Sequence, residues 1–182
     1  MNIRFNMKKI LLVLIFLLYI NVNASIVVMD ADSGRILYSK NKSERKLIAS
    51  TTKIMTTIIA LENAKLTDKL KVGEEIRTVN GSMIYVKENE SFTLNDLLHG
   101  LMLQSGNDAA MIIASKTMPY DNFIANMNLK AHKLGMDNTT FENPHGLNDD
   151  TKNYSTAEDM SKLMRYAIKN KEFLKITSTK KI

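Results

Sequence analysis

Ser50 and Lys53 lie three residues apart at the start of a largely apolar segment, LIASTTKIMTT, at residues 47–57. On a helix these two positions share a face, and the first helical turn favours developing negative charge. A serine hydroxyl becomes a nucleophile when a base takes its proton, and a lysine can be that base if burial or a nearby cation lowers its pKa. The pair is therefore either a nucleophile with its general base or a serine N-cap followed by a solvated lysine.

The Ser-x-x-Lys spacing alone discriminates poorly, because it occurs four times, beginning at Ser39, Ser43, Ser50 and Ser178. The first two lie in a polar stretch, and the last lies near residue 182. Only Ser50 leads directly into a long amphipathic pattern with apolar residues at helical spacing. Context therefore favours Ser50 over the other three serines.

A second polar cluster, Ser105-Gly106-Asn107, separates two apolar helical patterns. At such a corner the serine could relay a proton, and the asparagine could hydrogen-bond a substrate amide. The alternative is a structural corner in which Gly106 adopts a left-handed conformation and Asp108 caps the next helix. The residues of the cluster do not decide between these readings.

The three histidines, His99, His132 and His145, do not form the helical His-Glu-x-x-His metal pattern. The first two fit ordinary helix positions, whereas His145, between Pro144 and Gly146, could shape a site or fill a turn. A Ser-His-Asp triad stays open because such triads are defined by geometry. Nothing in the sequence supports one, and no Gly-x-Ser-x-Gly elbow is present.

The composition is that of one globular domain, with 182 residues of which 45% are hydrophobic and 24% charged. Cysteine is absent, which excludes disulfides, thiol chemistry and cysteine metal sites. The sequence contains no Arg- and Lys-rich tract with interleaved aromatic residues, so it does not indicate a nucleic-acid partner.

Residues 1–24 have the pattern of a secretory signal peptide. Three basic residues precede an apolar run of 11 residues at positions 10–20, and Val22-Asn23-Ala24 resembles a small-x-small cleavage site. The run is short for a membrane span, which needs about 20 residues, although an uncleaved anchor stays open. Cleavage after Ala24 would leave 158 residues and lower the formal net charge from +6 to +3. We expect residues 25–182 to lie outside the cytoplasm.

Hydrophobic periodicity predicts about five helices and few strands. The predicted hairpin covers residues 25–41, and the predicted helices cover residues 47–65, 94–102, 109–118, 121–134 and 155–168. Thr93 and Ser155 open predicted capping boxes, and Gly135 is expected to end the fourth helix.

Residues 69–91 are expected to be irregular, with strand-like pieces such as SMIYVK at 82–87, and the last ten residues to begin a strand. A two-stranded hairpin is marginal alone. The sequence therefore predicts a sheet that needs more strands than this chain supplies.

Together these stretches resemble the low-molecular-mass D-alanyl-D-alanine carboxypeptidases, penicillin-binding serine peptidases of family S11. Ser-Thr-Thr-Lys at residues 50–53 and Ser-Gly-Asn at residues 105–107 match two motifs of the serine penicillin-recognising enzymes. Six segments match in order, namely DADSGRILYSKN, IASTTKIMTT, LNDLLHGLMLQSGNDAA, FIANMNLKAHKLGM, TTFENPHGL and YSTAEDM. The resemblance implies an α+β fold of the β-lactamase/transpeptidase type, with a helical cluster packed on an antiparallel sheet.

The resemblance also implies a mechanism. Ser50 would attack the penultimate D-Ala carbonyl of a peptidoglycan stem peptide, with Lys53 as general base. Ser105 would assist proton transfer to the departing D-Ala, Asn107 would bind the substrate amide, and the Ser50 N–H would form half of the oxyanion hole. β-Lactams would acylate the same serine, and no metal or organic cofactor is implied. The enzyme would act in cell-wall synthesis and cell shape, at the extracytoplasmic face of the bacterial membrane.

The third motif of the family, Lys-Thr-Gly, does not occur in the sequence. The resemblance assigns it to a later strand, where it would supply a lysine for the substrate carboxylate and the second oxyanion donor. We therefore expect residues 25–182 to be the N-terminal portion of a catalytic domain, C-terminally truncated and poorly active alone. An inactive fragment and a β-lactamase-related hydrolase remain alternatives, and peripheral membrane association of a full-length form stays open.

Overall fold

The first strands form the hairpin that the sequence predicts. The computed structural model describes residues 24–147 and 152–180, so residues 1–23 of the predicted signal peptide lie outside the described residues. Strand β1 (Ile26–Met29) pairs antiparallel with β2 (Ile36–Lys40), and the turn between them contains Gly34 at φ +77°. Within the described ranges β1 has β2 as its only strand neighbour.

Two further antiparallel ladders are short. Strand β3 (Lys46–Leu47) pairs with β6 (Tyr154–Ser155), and β4 (Lys69–Lys71) pairs with β5 (Ser91–Thr93). The first of these ladders brings residues that precede Ser50 against a segment more than 100 residues later in the chain.

The segment at residues 82–87, expected to include a strand-like piece, is not a strand. The backbone N–H groups of Ile84 and Tyr85 donate to the carboxylate of Asp108 at 3.0 and 2.9 Å, in place of the ladder partner that a strand would need. Tyr85 also takes φ +60°, a left-handed value that does not continue a strand.

Helices supply most of the packed interior. In the described part of the chain they are α1 (Lys53–Asn63), α2 (Leu94–Leu103), α3 (Asn107–Thr117), α4 (Tyr120–Lys133), α5 (Ala157–Ala167) and α6 (Lys171–Thr177). Their apolar faces meet in one main core, which includes the fully buried residues Met55, Leu97, Leu98, Leu101, Ile112 and Phe123. The architecture is α+β, as predicted. The longest of these helices has 14 residues, and none of them is long and apolar enough to cross a membrane.

The helix starts follow side-chain capping. At α2 the Thr93 hydroxyl accepts from the Asp96 N–H, and the Asp96 carboxylate accepts from the Thr93 N–H, which confirms the predicted capping box. At α5 the cap lies one residue later than predicted, because Thr156 rather than Ser155 accepts from the N–H three residues on, that of Asp159. Gly135 follows α4 at φ +68°, as expected for a helix end.

The predicted C-terminal strand is wrong, because residues 171–177 form helix α6. The Asn170 side chain accepts from the N–H groups of Glu172 and Phe173 and so fixes the start of the helix. Phe173 and Ile176, three residues apart, are then both buried in the interior, at 2% and 1% exposure. The two buried residues at helical spacing account for the helix that replaces the expected strand.

The first predicted helix begins later than expected, at Lys53 instead of residue 47. Leu47 belongs to β3, and Ala49–Thr52 forms a 3₁₀ turn. Ala49 takes φ +45°, and a left-handed residue of this kind interrupts a right-handed helix. Ser50 therefore lies in the turn that precedes α1 and not in its first turn.

We expect Leu98→Ala to lower the free energy of unfolding by about 2–5 kcal/mol, because it removes a large buried side chain and leaves a cavity. Leu129→Ala is the matched control, since Leu129 on α4 is 49% exposed, and it should cost less than about 1 kcal/mol. Urea unfolding followed by circular dichroism measures both. Equal losses would contradict the core described here.

Candidate active site

Ser50 and Lys53 meet where the 3₁₀ turn passes into α1. The Lys53 amine donates to the Ser50 hydroxyl oxygen at 3.2 Å. Ser50 is exposed, whereas Lys53 is only 2% exposed. The alternative of a serine N-cap followed by a solvated lysine is therefore wrong, since Lys53 is buried and no described side chain caps this helix start.

Three oxygens surround the Lys53 amine. Besides Ser50, they are Asn107 Oδ1 and the backbone carbonyl of His145, each at 2.8 Å. Because an ammonium group has three protons to donate, these three oxygens satisfy its full hydrogen-bonding capacity. Burial lowers the pKa of Lys53 from its ordinary value of 10.5 to about 8. A sizeable fraction of the amine is therefore neutral near physiological pH and able to accept a proton.

The Ser105-Gly106-Asn107 corner differs from its expected backbone shape. Ser105, not Gly106, is the left-handed residue, with φ +57°, and Gly106 has φ −60°. The space at residue 106 is tight, because a Cβ there would lie 3.1 Å from both Asp108 Oδ1 and Ile84 Cγ2. A larger residue would therefore require these two side chains to shift by a few tenths of an ångström.

Asn107 joins the Ser50 and Lys53 pair directly. Its side chain is 3% exposed, and it accepts from Lys53 while its amide nitrogen donates to the Asn80 carbonyl at 2.7 Å. The hydroxyl of Ser105 makes no hydrogen bond with Ser50 or Lys53 among the described residues. The structure thus brings three of the four predicted residues into contact, and Ser105, two residues before Asn107, is not one of them.

Asp108 is not the N-cap residue of α3, which is Gly106, but its carboxylate accepts from the Ala109 N–H in the first turn at 2.9 Å, as the structural alternative expected in part. The same carboxylate, on a residue 1% exposed, also accepts from the N–H groups of Ile84 and Tyr85. Asp108 therefore holds the segment that carries Asn80 against the start of α3.

A loop at residues 142–147 closes the site from the other side. Gly146 has φ +89°, and a Cβ there would lie 1.9 Å from the Ala49 carbonyl oxygen and 3.0 Å from the Ser50 nitrogen. The Asn143 side-chain oxygen accepts from the N–H groups of His145 and Gly146 at 3.2 and 2.6 Å. His145 therefore shapes the site, but through its backbone carbonyl on Lys53.

The other two histidines are ordinary helix residues, as predicted. His99 lies on α2 with its ring nitrogen Nδ1 2.8 Å from the Asn95 carbonyl, and His132 lies on α4. Within the described ranges, no group of three or more His, Asp or Glu side chains is arranged to hold a metal ion.

Sequence reasoning missed the residues that hold this loop. Asn143 and Asn153 read as ordinary polar loop residues, and Thr52 reads as part of the serine motif alone. The one available signal was the Asn-Pro-His-Gly run at residues 143–146, whose glycine indicates a left-handed position.

Chemically, the arrangement is suited to nucleophilic acyl transfer. An exposed hydroxyl contacts a buried amine of lowered pKa, and that amine is oriented by two further oxygens. The arrangement therefore supplies a candidate nucleophile and a candidate general base on an α+β fold.

Residues 20–182 match the family model of peptidase family S11, described as D-alanyl-D-alanine carboxypeptidase. The chain therefore belongs to this family, which confirms the resemblance seen in the sequence. It is 36% identical over 161 residues to the D-alanyl-D-alanine carboxypeptidase DacF of Bacillus subtilis, covering 85% of this chain and 41% of that protein. It is also 36% identical over 169 residues to DacC of Escherichia coli, covering 81% of this chain and 42% of that protein.

Solved structures show the same fold. The D-alanyl-D-alanine carboxypeptidase of Mycobacterium tuberculosis superposes with a TM-score of 0.82 at 32% identity, over 85% of this chain and 59% of that one. A mutant of the Streptomyces K15 DD-transpeptidase superposes with a TM-score of 0.79 at 32% identity, over 86% of this chain and 65% of that one. The chain thus spans less than half the length of the two carboxypeptidases DacF and DacC.

Gly146→Ala should disrupt the Ser50 turn, because its methyl group would overlap the Ala49 carbonyl. Gly135→Ala is the matched control: it has a similar left-handed backbone, at φ +68°, but nothing within 4 Å of the added carbon. We expect the control to cost about 1–2 kcal/mol of unfolding free energy, and Gly146→Ala about 3 kcal/mol or more. Urea unfolding measures both, and equal costs would contradict the close approach of the loop to the turn.

Proposed function

We propose that this chain carries the nucleophile and general base of a serine D-Ala-D-Ala carboxypeptidase, which removes the terminal D-Ala from peptidoglycan stem peptides. The observation that carries the proposal is the contact between the exposed Ser50 hydroxyl and the buried Lys53 amine. Family membership supports the reaction class and the substrate.

In the proposed mechanism, neutral Lys53 takes the proton of Ser50 while Ser50 Oγ attacks the carbonyl carbon of the penultimate D-Ala. The Ser50 N–H stabilises the resulting oxyanion. The peptide C–N bond then breaks, the leaving amine of the terminal D-Ala takes the proton that Lys53 had accepted, and an ester on Ser50 remains. Water hydrolyses this ester and restores the free hydroxyl.

Asn107 and Ser105 have supporting roles in this proposal. Asn107 Oδ1 accepts one hydrogen bond from Lys53, and its second lone pair is available to a substrate N–H. Ser105 assists proton transfer to the leaving amine. β-Lactams acylate Ser50 in place of the peptide.

We further propose that residues 25–182 are the N-terminal portion of such a catalytic domain and that residues 1–24 export it to the cell wall. The share of the relatives that the chain covers, 41% and 42% for the first two, supports the first statement. The basic and apolar pattern of the leader supports the second.

Ser50→Ala should abolish covalent uptake of penicillin, because it removes the nucleophile. Ser43→Ala is the matched control, since Ser43 also begins a Ser-x-x-Lys sequence but lies in a polar stretch after β2. Intact-mass spectrometry after incubation should show one added penicillin on the parent chain and on the control, and none on Ser50→Ala.

An adduct that persists on Ser50→Ala would exclude Ser50 as the nucleophile. A folded parent chain without any adduct would contradict the proposal that this chain carries a competent pair. Rapid turnover of penicillin would instead favour a β-lactamase-related hydrolase.

Acylation of Ser50 should become faster as the pH rises through about 8. Only the neutral amine of Lys53 can accept the serine proton, and burial lowers the pKa of this amine to about 8, so the inactive ammonium dominates at lower pH. The rate constant for labelling by a fluorescent penicillin should rise about tenfold per pH unit well below the midpoint and level off above it. A rate that is flat or falls across this range would exclude Lys53 as the base.

A further inference from the structure

One fully buried side chain, that of Asn153, joins the loop at residues 142–147 to the Ser50 turn. Its oxygen accepts from the N–H groups of Glu142 and Asn143 at 2.7 and 3.1 Å. Its nitrogen donates to the Thr52 hydroxyl and to the Asn143 carbonyl, both at 2.9 Å. At 0% exposure these bonds have no competition from bulk water.

The same loop delivers the His145 carbonyl to the Lys53 amine. Asn143, which Asn153 binds, in turn accepts from the N–H groups of His145 and Gly146. The Thr56 hydroxyl donates to the Pro144 carbonyl at 2.6 Å and holds the loop against α1. Asn153 is therefore linked through Asn143 to the residue whose carbonyl accepts a hydrogen bond from Lys53.

We propose that Asn153 is a positioning residue for Lys53 and that Asn153 acts through the loop at residues 142–147. It contacts neither Ser50 nor Lys53, so its effect is indirect. The inference rests on the proposed function, in which Lys53 is the general base. If the loop moves away, the amine loses one of its three oxygens and water reaches it, and small displacements of a catalytic group have large effects on rate.

The charged groups of the neighbouring elements are bonded elsewhere, so the titration midpoint of Lys53 reports mainly how well its amine is shielded from water. Within the described ranges none of the salt bridges involves Lys53. Asp108, next to Asn107, directs its carboxylate to the N–H groups of Ile84 and Tyr85. The His145 ring, on the loop itself, accepts from the Leu147 N–H through Nδ1 at 3.0 Å.

Asn153→Ala tests the proposal, with Asn128→Ala as the matched control. Asn128 on α4 likewise makes side-chain bonds to backbone, accepting from the N–H and donating to the carbonyl of Phe141, the residue before the loop. None of the Asn153 bonds involves Asn128. The readout is the pH dependence of Lys53 acetylation by trace acetic anhydride, followed by peptide mass spectrometry on the full chain. It does not depend on enzymatic activity.

We expect Asn153→Ala to raise the titration midpoint of Lys53 by about one pH unit or more, toward the value of a solvated lysine. Asn128→Ala should lose comparable stability and keep the parent midpoint. A midpoint in Asn153→Ala that stays unchanged or moves down would overturn the proposal. If Asn153→Ala does not fold, Thr52→Val replaces it, because this variant keeps the size of residue 52 and removes only the hydroxyl that Asn153 binds.

Penicillin acylation separates this inference from the proposed function. A shifted midpoint in a chain whose parent takes up no penicillin would support the positioning role and contradict the acylation chemistry. Normal penicillin uptake by the parent, together with an unshifted Lys53 midpoint in Asn153→Ala, would support the acylation chemistry and contradict the positioning role. If both hold, Asn153→Ala should also be acylated at least about tenfold more slowly at neutral pH, since each unit of midpoint shift lowers the neutral fraction tenfold.

Discussion

The Lys53 amine lies inside the protein, and enclosing a charge there carries a penalty of several kcal/mol unless hydrogen bonds replace its water. Three oxygens provide that replacement, and they come from three separate parts of the chain: the Ser50 turn, the start of α3 and the loop at residues 142–147. The local architecture around the site serves to hold these oxygens in place. The same enclosure lowers the pKa of the amine, which is the property that the proposed mechanism requires of a general base.

Helix α1 carries this lysine and is buried almost all round, since seven of its residues between Lys53 and Ala60 are inaccessible. A helix of this kind must be surrounded by other elements, and α2, α3, α4, α5 and α6 all pack around it. Polar residues on α1 are tolerated because each has a partner: Thr56 donates to Pro144 and Thr57 donates to Lys53, both at backbone carbonyls. The surrounding helices thus fix the position of α1, while the start of α3 and the loop at residues 142–147 enclose the amine of Lys53.

The sequence predicted most of what is local and little of what is long-range. Amphipathic periodicity located five of the six described helices, and the serine motifs identified Ser50, Lys53 and Asn107, which the structure brings together. The start of α1 was wrong because the left-handed Ala49 has no sequence signature, and the strand predicted near the C-terminus was wrong because Phe173 and Ile176 are buried at helical spacing. Asn153 could not have been identified, since its role depends on a partner 101 residues away.

The contacts around Lys53 link residues separated by 54 and 92 positions in the chain. Closing loops of such length is slow compared with forming a helix, so contacts of this kind belong to the later stages of folding. Helix α1 can form early, but its lysine then remains solvated and protonated at neutral pH. The enclosed amine that the proposed mechanism needs arises only with the completed tertiary structure, so under that proposal covalent capture of a β-lactam would report the fraction of correctly folded molecules.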